Sequence, residues 1–239
     1  MLNILFLPGL GSSSAAINGV KNTGLLNNFN IIGHDYAGHN RRANDGYSDK
    51  PLSQAADECV EAMAHAKEKY ILAGHSMGNA VAMLILQQVP EKIVGLIALE
   101  GNLMIENCGL VSRNLVNAKN ATELEKIKTD LITQFQNSPL PGWREWAKDL
   151  ATMSTQILQD YARELFALSQ SGDLLLQFQN FLGPKCYLYG DDYVGYTMVE
   201  KLSGIPAYHV PNSGHFLMQD QPEICTRYIR EVCDSALAP

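Results

Sequence analysis

Gly74-His75-Ser76-Met77-Gly78 sets a hydroxyl between two glycines, each two residues away. This is the spacing of a sharp turn that lifts a nucleophile clear of the surrounding backbone. The residues before it, Tyr70 to Ala73, form a short apolar run, and Asn79 to Val89 after it is apolar nearly all round. Strand, turn and buried helix therefore follow in the order such a serine requires. The turn forces the serine into a strained backbone conformation, and a side chain at either glycine would collide with the adjacent strand or helix. A serine hydroxyl attacks only when a base takes its proton. The histidines are His34, His39, His65, His75, His209 and His215. His65 falls on a predicted surface helix, His75 lies inside the turn with its ring expected to point away from Oγ, and His209 lies within the last apolar run. His215 follows that run in a polar turn, Pro211 to Phe216, at the sheet edge expected to carry Ser76. Ser76 as nucleophile and His215 as general base is the resulting expectation.

The elements that must position this pair are legible as six short apolar runs. They are Asn3 to Leu7, Asn30 to His34, Tyr70 to Ala73, Ile93 to Leu99, Cys186 to Tyr189 and Ala207 to Val210. Runs this short, bounded by Gly, Pro and Asp and alternating with helical patterns, predict an α/β fold. The expected core is a mostly parallel central sheet of about six strands flanked by helices. Ser53 is expected to cap the helix before the third strand, and Asp220 with Glu223 to form a capping box at the last helix. From residue 102 to 181 the rhythm breaks: only helical spacings appear, such as Leu124, Ile127, Leu131, Ile132 and Phe135. An all-helical stretch of that length is more than a loop. The expected organisation is a core of residues 1–101 and 182–239 with a helical lid, residues 102–181, inserted late in the sheet.

Composition narrows the function. The chain has 239 residues, of which 46% are hydrophobic and 18% charged, the balance of a folded globular enzyme. Its formal charge of −7 and the lack of any Lys/Arg cluster denser than Arg41-Arg42 argue against nucleic acid or an anionic membrane as partner. No apolar run reaches the roughly 18 residues of a membrane span, and the short apolar start has no basic flank, so a cytoplasmic protein is expected. Cys59, Cys108, Cys186, Cys225 and Cys233 are odd in number with no C-x-x-C pair, which argues against a disulfide framework and a zinc site. No metal is expected. Gly9-Leu10-Gly11 after the first strand, with Asp35 ending the next, suggests a dinucleotide site. The third glycine, however, is replaced by Ser14, and the segment that follows is a poor helix former, so no cofactor is expected.

Five ordered motifs carry a resemblance: Leu7 to Ser12, Asp35 to His39, Gly74 to Gly78, Tyr189 to Asp192 and Asn212 to Phe216. Together they resemble the α/β-hydrolase superfamily, specifically its small capped serine esterases. The resemblance implies that the helical stretch is the family's lid and that the chain begins at the strand carrying the oxyanion loop. It implies backbone N–H donors from Leu10 and Met77, although Pro8-Gly9 stands where the family usually has His-Gly. It makes His39 and Arg41 structural. For the triad acid it points first to Asp192, after the penultimate strand, with Asp191 beside it. Glu100 at the end of the preceding strand is the rival, because some family members place the acid there. The implied activity is cleavage of a small carboxylic ester or thioester through an acyl-enzyme. Carbon–carbon bond hydrolysis, acyl transfer and a non-catalytic receptor on the same scaffold stay open. The partner expected is a small acyl substrate.

Overall fold

Apolar runs with no polar face need a neighbour on either side and a cover above and below, and six of them here share one sheet. The computed structural model describes residues 2–193, 197–202 and 204–238. The strands are β1 (Asn3–Leu7), β2 (Asn30–Gly33), β3 (Tyr70–His75), β4 (Ile93–Leu99), β5 (Lys185–Tyr189) and β6 (Ala207–His209). Their order is β2-β1-β3-β4-β5-β6, and every pairing is parallel. β1 and β3 are buried throughout, whereas the edge strands β2 and β6 are partly exposed. The chain runs outward from β1 to β2, then crosses back to place β3 on the other side of β1. That reversal opens a crevice beyond the carboxyl ends of β1 and β3, where open α/β sheets bind ligands.

The helices are α1 (Asn18–Asn22), α2 (Pro51–Ala64), α3 (Gly78–Gln88), α4 (Leu110–Asn117), α5 (Ala121–Phe135), α6 (Pro141–Ala151), α7 (Thr155–Gln170), α8 (Asp173–Asn180), α9 (Thr197–Lys201), α10 (Leu217–Asp220) and α11 (Pro222–Leu237). α1 packs with α11, which lies on β4 and β5, while α3 packs on β1 and β3 and is covered by α2 and α8. Neither expected cap forms. α2 starts at Pro51, so Ser53 falls inside it and donates its hydroxyl to Glu164 instead. The Asp220 carboxylate, rather than capping α11, accepts from the backbone N–H groups of Gly142 and Gly214. In both cases a long-range partner has taken the side chain that a local cap would have used.

α4 to α8 occupy the stretch between β4 and β5 and are tied to the strand-end loops by polar bonds. Tyr161 donates its hydroxyl to the Ala37 carbonyl at 2.8 Å. The Asp149 carboxylate accepts from Ser13 N at 2.9 Å, and Trp146 Nε1–H donates to the Leu10 carbonyl at 2.9 Å. Tyr161 and Trp146 are both buried, so these bonds are shielded from competing water. Among the described residues no helix is long and apolar enough to cross a membrane. All five cysteines are buried and free. Burial pushes the Cys59 and Cys233 thiols up to about 12, which leaves them unreactive.

His39 is structural in its surroundings. It is fully buried, edge-on to Tyr36 and Tyr161, with Nδ1 3.4 Å from the Ala37 carbonyl. Nearby, Arg41 bonds the Asp35 carboxylate, which also accepts from Ser14 N at 2.6 Å. Burial pushes the His39 pKa down from 6.5 to about 4. The unfolded chain therefore binds the extra proton between those two values, and stability falls as pH falls from 6.5 towards 4. At pH 5 this one group costs about 2 kcal/mol relative to pH 8. Urea unfolding at pH 8 and pH 5 checks this: a His39→Phe variant should lose less stability between the two than the parent, by roughly that amount.

Candidate active site

The sheet register does most of the assembly. His75 pairs with Leu99 across β3 and β4, so the next residues, Ser76 and Glu100, leave neighbouring strands at the same level. The ladder continues one step past each strand: Ser76 N–H donates to the Leu99 carbonyl at 3.1 Å and Glu100 N–H to the Leu188 carbonyl at 2.8 Å. Both residues then turn sharply, Ser76 with φ 50° and Glu100 with φ 46°. Positive φ in a residue with a side chain is strained and must be held by its surroundings. The Ser76 carbonyl is held by N–H groups from Asn79 and Asn102. The two flanking glycines permit the approach. A Cβ on Gly74 would lie 2.5 Å from Asn79 Cα at the start of α3, and one on Gly78 would overlap the Leu7 carbonyl oxygen of β1.

His215 arrives on the loop after β6. Its Nδ1 lies 2.6 Å from Glu100 Oε2, and Glu100 Oε1 accepts from Gly190 N–H at 2.7 Å. The Glu100 side chain is fully buried beneath the imidazole. A carboxylate at Nδ1 fixes the hydrogen there and leaves Nε2 as the bare, proton-accepting nitrogen. The carboxylate set against His215 is thus Glu100 and not Asp192, the residue placed first from sequence. Asp191 is used elsewhere, accepting from Asn212 N–H and pairing with His209 Nε2 at 2.8 Å. Asp192 is exposed on the rim. The physical reason is register: β4 ends directly beneath His215, while the loop after β5 turns its carboxylates outward.

Two further residues join the site that sequence reasoning did not assign to it. His75 does not reach the serine hydroxyl, but its Nε2 lies 2.9 Å from the backbone carbonyl of His215, and the two rings are 4.7 Å apart. A carbonyl only accepts, so Nε2 carries the hydrogen. Burial, reinforced by the neighbouring His215, pushes the His75 pKa well below the ordinary value, so the ring is neutral and braces the loop. Asn102, 2% exposed, accepts the Ser76 hydroxyl on Oδ1 at 3.3 Å. Among the described residues no hydrogen bond joins that hydroxyl to His215. The only sequence trace of Asn102 is its place two residues beyond Glu100.

Leu10 and Met77, the expected backbone donors, are buried. Neither N–H is taken by an acceptor among the described residues, and the bond from Trp146 to the Leu10 carbonyl holds the next peptide of that loop, Leu10–Gly11. The space enclosed is a cavity of about 400 Å³ with Leu10, Ser76, Asn102 and His215 in its wall and Phe135 and Trp143 across α5 and α6. Asp220 ties the His215 loop at Gly214 to the start of α6 at Gly142. The four loops after β1, β3, β4 and β6 thus converge on one cavity.

Comparison with known proteins agrees with this architecture. A family model described as the alpha/beta hydrolase family matches residues 4–227. An uncharacterized protein of Mycobacterium tuberculosis is 32% identical over 119 residues, which are 46% of this chain and 32% of that protein. The match thus spans about a third of the length of the curated relatives. A thermophilic esterase from Thermogutta terrifontis superposes with a TM-score of 0.74 at 19% identity, covering 100% of this chain and 91% of that one. MenH from S. aureus gives 0.74 at 14% identity, covering 99% and 95%. An esterase from Exiguobacterium antarcticum gives 0.70 at 17%, covering 98% and 92%. At these identities the likeness is one of fold.

The contact between α3 and β1 can be tested by itself. In an ordinary helix, Gly→Ala is stabilising by about 1 kcal/mol. At Gly78 the added methyl meets the Leu7 carbonyl, backbone that cannot swing aside. Gly78→Ala should therefore destabilise the fold by at least about 3 kcal/mol, read from chemical denaturation.

Proposed function

The chain belongs to the alpha/beta hydrolase family, and on that footing we propose that it is a serine hydrolase that cleaves a small carboxylic ester through an acyl-enzyme. One observation carries the reading: the 2.6 Å bond from His215 to the buried Glu100, in the wall of the cavity that Ser76 also lines. Ser76 is the nucleophile, His215 the general base and Glu100 the acid. Attack begins when the Ser76 hydroxyl leaves Asn102 and turns to His215 Nε2. Nε2 takes the proton as Oγ bonds the acyl carbon, and Glu100 stabilises the imidazolium formed. The tetrahedral oxyanion is met by the N–H groups of Leu10 and Met77, already free of other acceptors. His215 then protonates the leaving alcohol, and water repeats the sequence to release the acid.

The helices between β4 and β5 act in this reading as the lid, with Phe135 and Trp143 giving substrate an apolar wall. The esterases of Thermogutta terrifontis and Exiguobacterium antarcticum carry that activity on the same fold, which supports ester chemistry here. No lysine or arginine stands among the described lining residues, which favours a neutral ester over an anionic substrate.

Ser76→Ala should abolish hydrolysis of p-nitrophenyl esters by several orders of magnitude with the fold intact, and should abolish labelling by a fluorophosphonate probe. Retention of a tenth of the activity would remove Ser76 from the reaction. The acid is tested by isosteric amides. Glu100→Gln should cost roughly 10⁴ in kcat, because an amide holds the wrong tautomer. Asp192→Asn should stay within about threefold of the parent on a neutral ester. The reverse result in folded variants would assign the acid to Asp192.

A further inference from the structure

The cavity wall is apolar on its α5 and α6 side but not on the side built from the stretch after β4. Ser112, in the first turn of α4, lines the cavity. It is 8% exposed, and its hydroxyl has no hydrogen-bond partner among the described residues. Asn102, lining the same cavity, gives its Oδ1 to the Ser76 hydroxyl, which leaves Nδ2 facing only the Cys108 sulfur at 3.7 Å, a weak acceptor. Two neutral donors, one unpartnered and one poorly satisfied, therefore stand in a wall whose other members include Val111, Phe135 and Trp143. Water satisfies such groups in an open cavity. A bound molecule that displaces it must supply the acceptor itself or leave buried polar atoms unmet. The one carboxylate in the lining, Asp192 on the rim, repels an anion.

We propose that Ser112 is a specificity residue, and that the substrate is an ester carrying a second, uncharged oxygen (hydroxyl, ether or amide) that hydrogen-bonds Ser112 with Asn102 beside it. This rests on the serine-hydrolase reading above. The second oxygen belongs to either the acyl or the alcohol part, and the test has an arm for each.

The acyl arm compares p-nitrophenyl 3-hydroxybutyrate with p-nitrophenyl butyrate. The alcohol arm compares 2-methoxyethyl acetate with butyl acetate, followed by acid release. Each arm is read as the ratio of kcat/KM for the oxygenated ester to that for the alkyl one, so that intrinsic reactivity cancels between variants. In one arm Ser112→Ala should lower that ratio about tenfold, mainly through KM, the scale of one neutral hydrogen bond. Ser112→Thr, which keeps the hydroxyl, should restore it. Ratios unchanged by Ser112→Ala in both arms, with Ser76-dependent hydrolysis intact, overturn the assignment of Ser112. Absence of any hydrolysis together with absence of fluorophosphonate labelling overturns the hydrolase reading itself, a distinguishable result.

Discussion

Everything at the site depends on the register of the parallel ladder between β3 and β4. Parallel strands align their ends, so residues leaving neighbouring strands at the same level emerge a few ångströms apart on one edge. Ser76 and Glu100 are such a pair, each donating one last ladder hydrogen bond before turning at positive φ. A one-residue slip of β4 would flip its side chains to the other face of the sheet and carry the carboxylate away from His215. β3 is buried at every position and β4 at all but one, so both faces of each strand pack in the core and any slip would have to repack them. Core packing and site geometry are in this sense the same constraint.

What was legible in the sequence was what local signals encode. Ser76 lay in a strand, turn and helix context, His215 in a polar turn after the last apolar run, and all six strands lay between their turn residues. The carboxylate partner of His215 was not legible in this way. Glu100, Asp191 and Asp192 all follow strand ends, and the choice among them depends on which strand end lies under His215, a tertiary fact. The same holds for the failed caps. Ser53 and Asp220 have the residue types and spacing of helix starts, yet Glu164 and the N–H groups of Gly142 and Gly214 claim them across the fold. Asn102 left no sequence trace beyond its nearness to Glu100, and Ser112 left none, because what sets them apart is burial beside a cavity that forms only when distant helices pack over it.

Strain at the elbow is held by bonds from several directions. The Ser76 carbonyl takes two N–H groups, Asn79 Nδ2 donates to the Asn102 carbonyl at 3.4 Å, and His75 holds the backbone of His215. Apart from the local bond from Asn79 N–H, each of these braces links two separate segments rather than one loop to itself. Such cross-links let a site made of four separate loops keep one geometry, since displacing one loop breaks bonds in a second.

The two tryptophans of the chain have a consequence for observation. Both stand on α6 in the cavity wall. Trp143 stacks on Phe135 and lies with its ring 5.9 Å from that of His215, while Trp146 is bonded to the loop that carries Leu10. No indole elsewhere in the chain dilutes their light. Intrinsic fluorescence of this protein is therefore a local optical signal of the site: emission excited at the indole band reports the polarity and occupancy of the cavity, with no label attached.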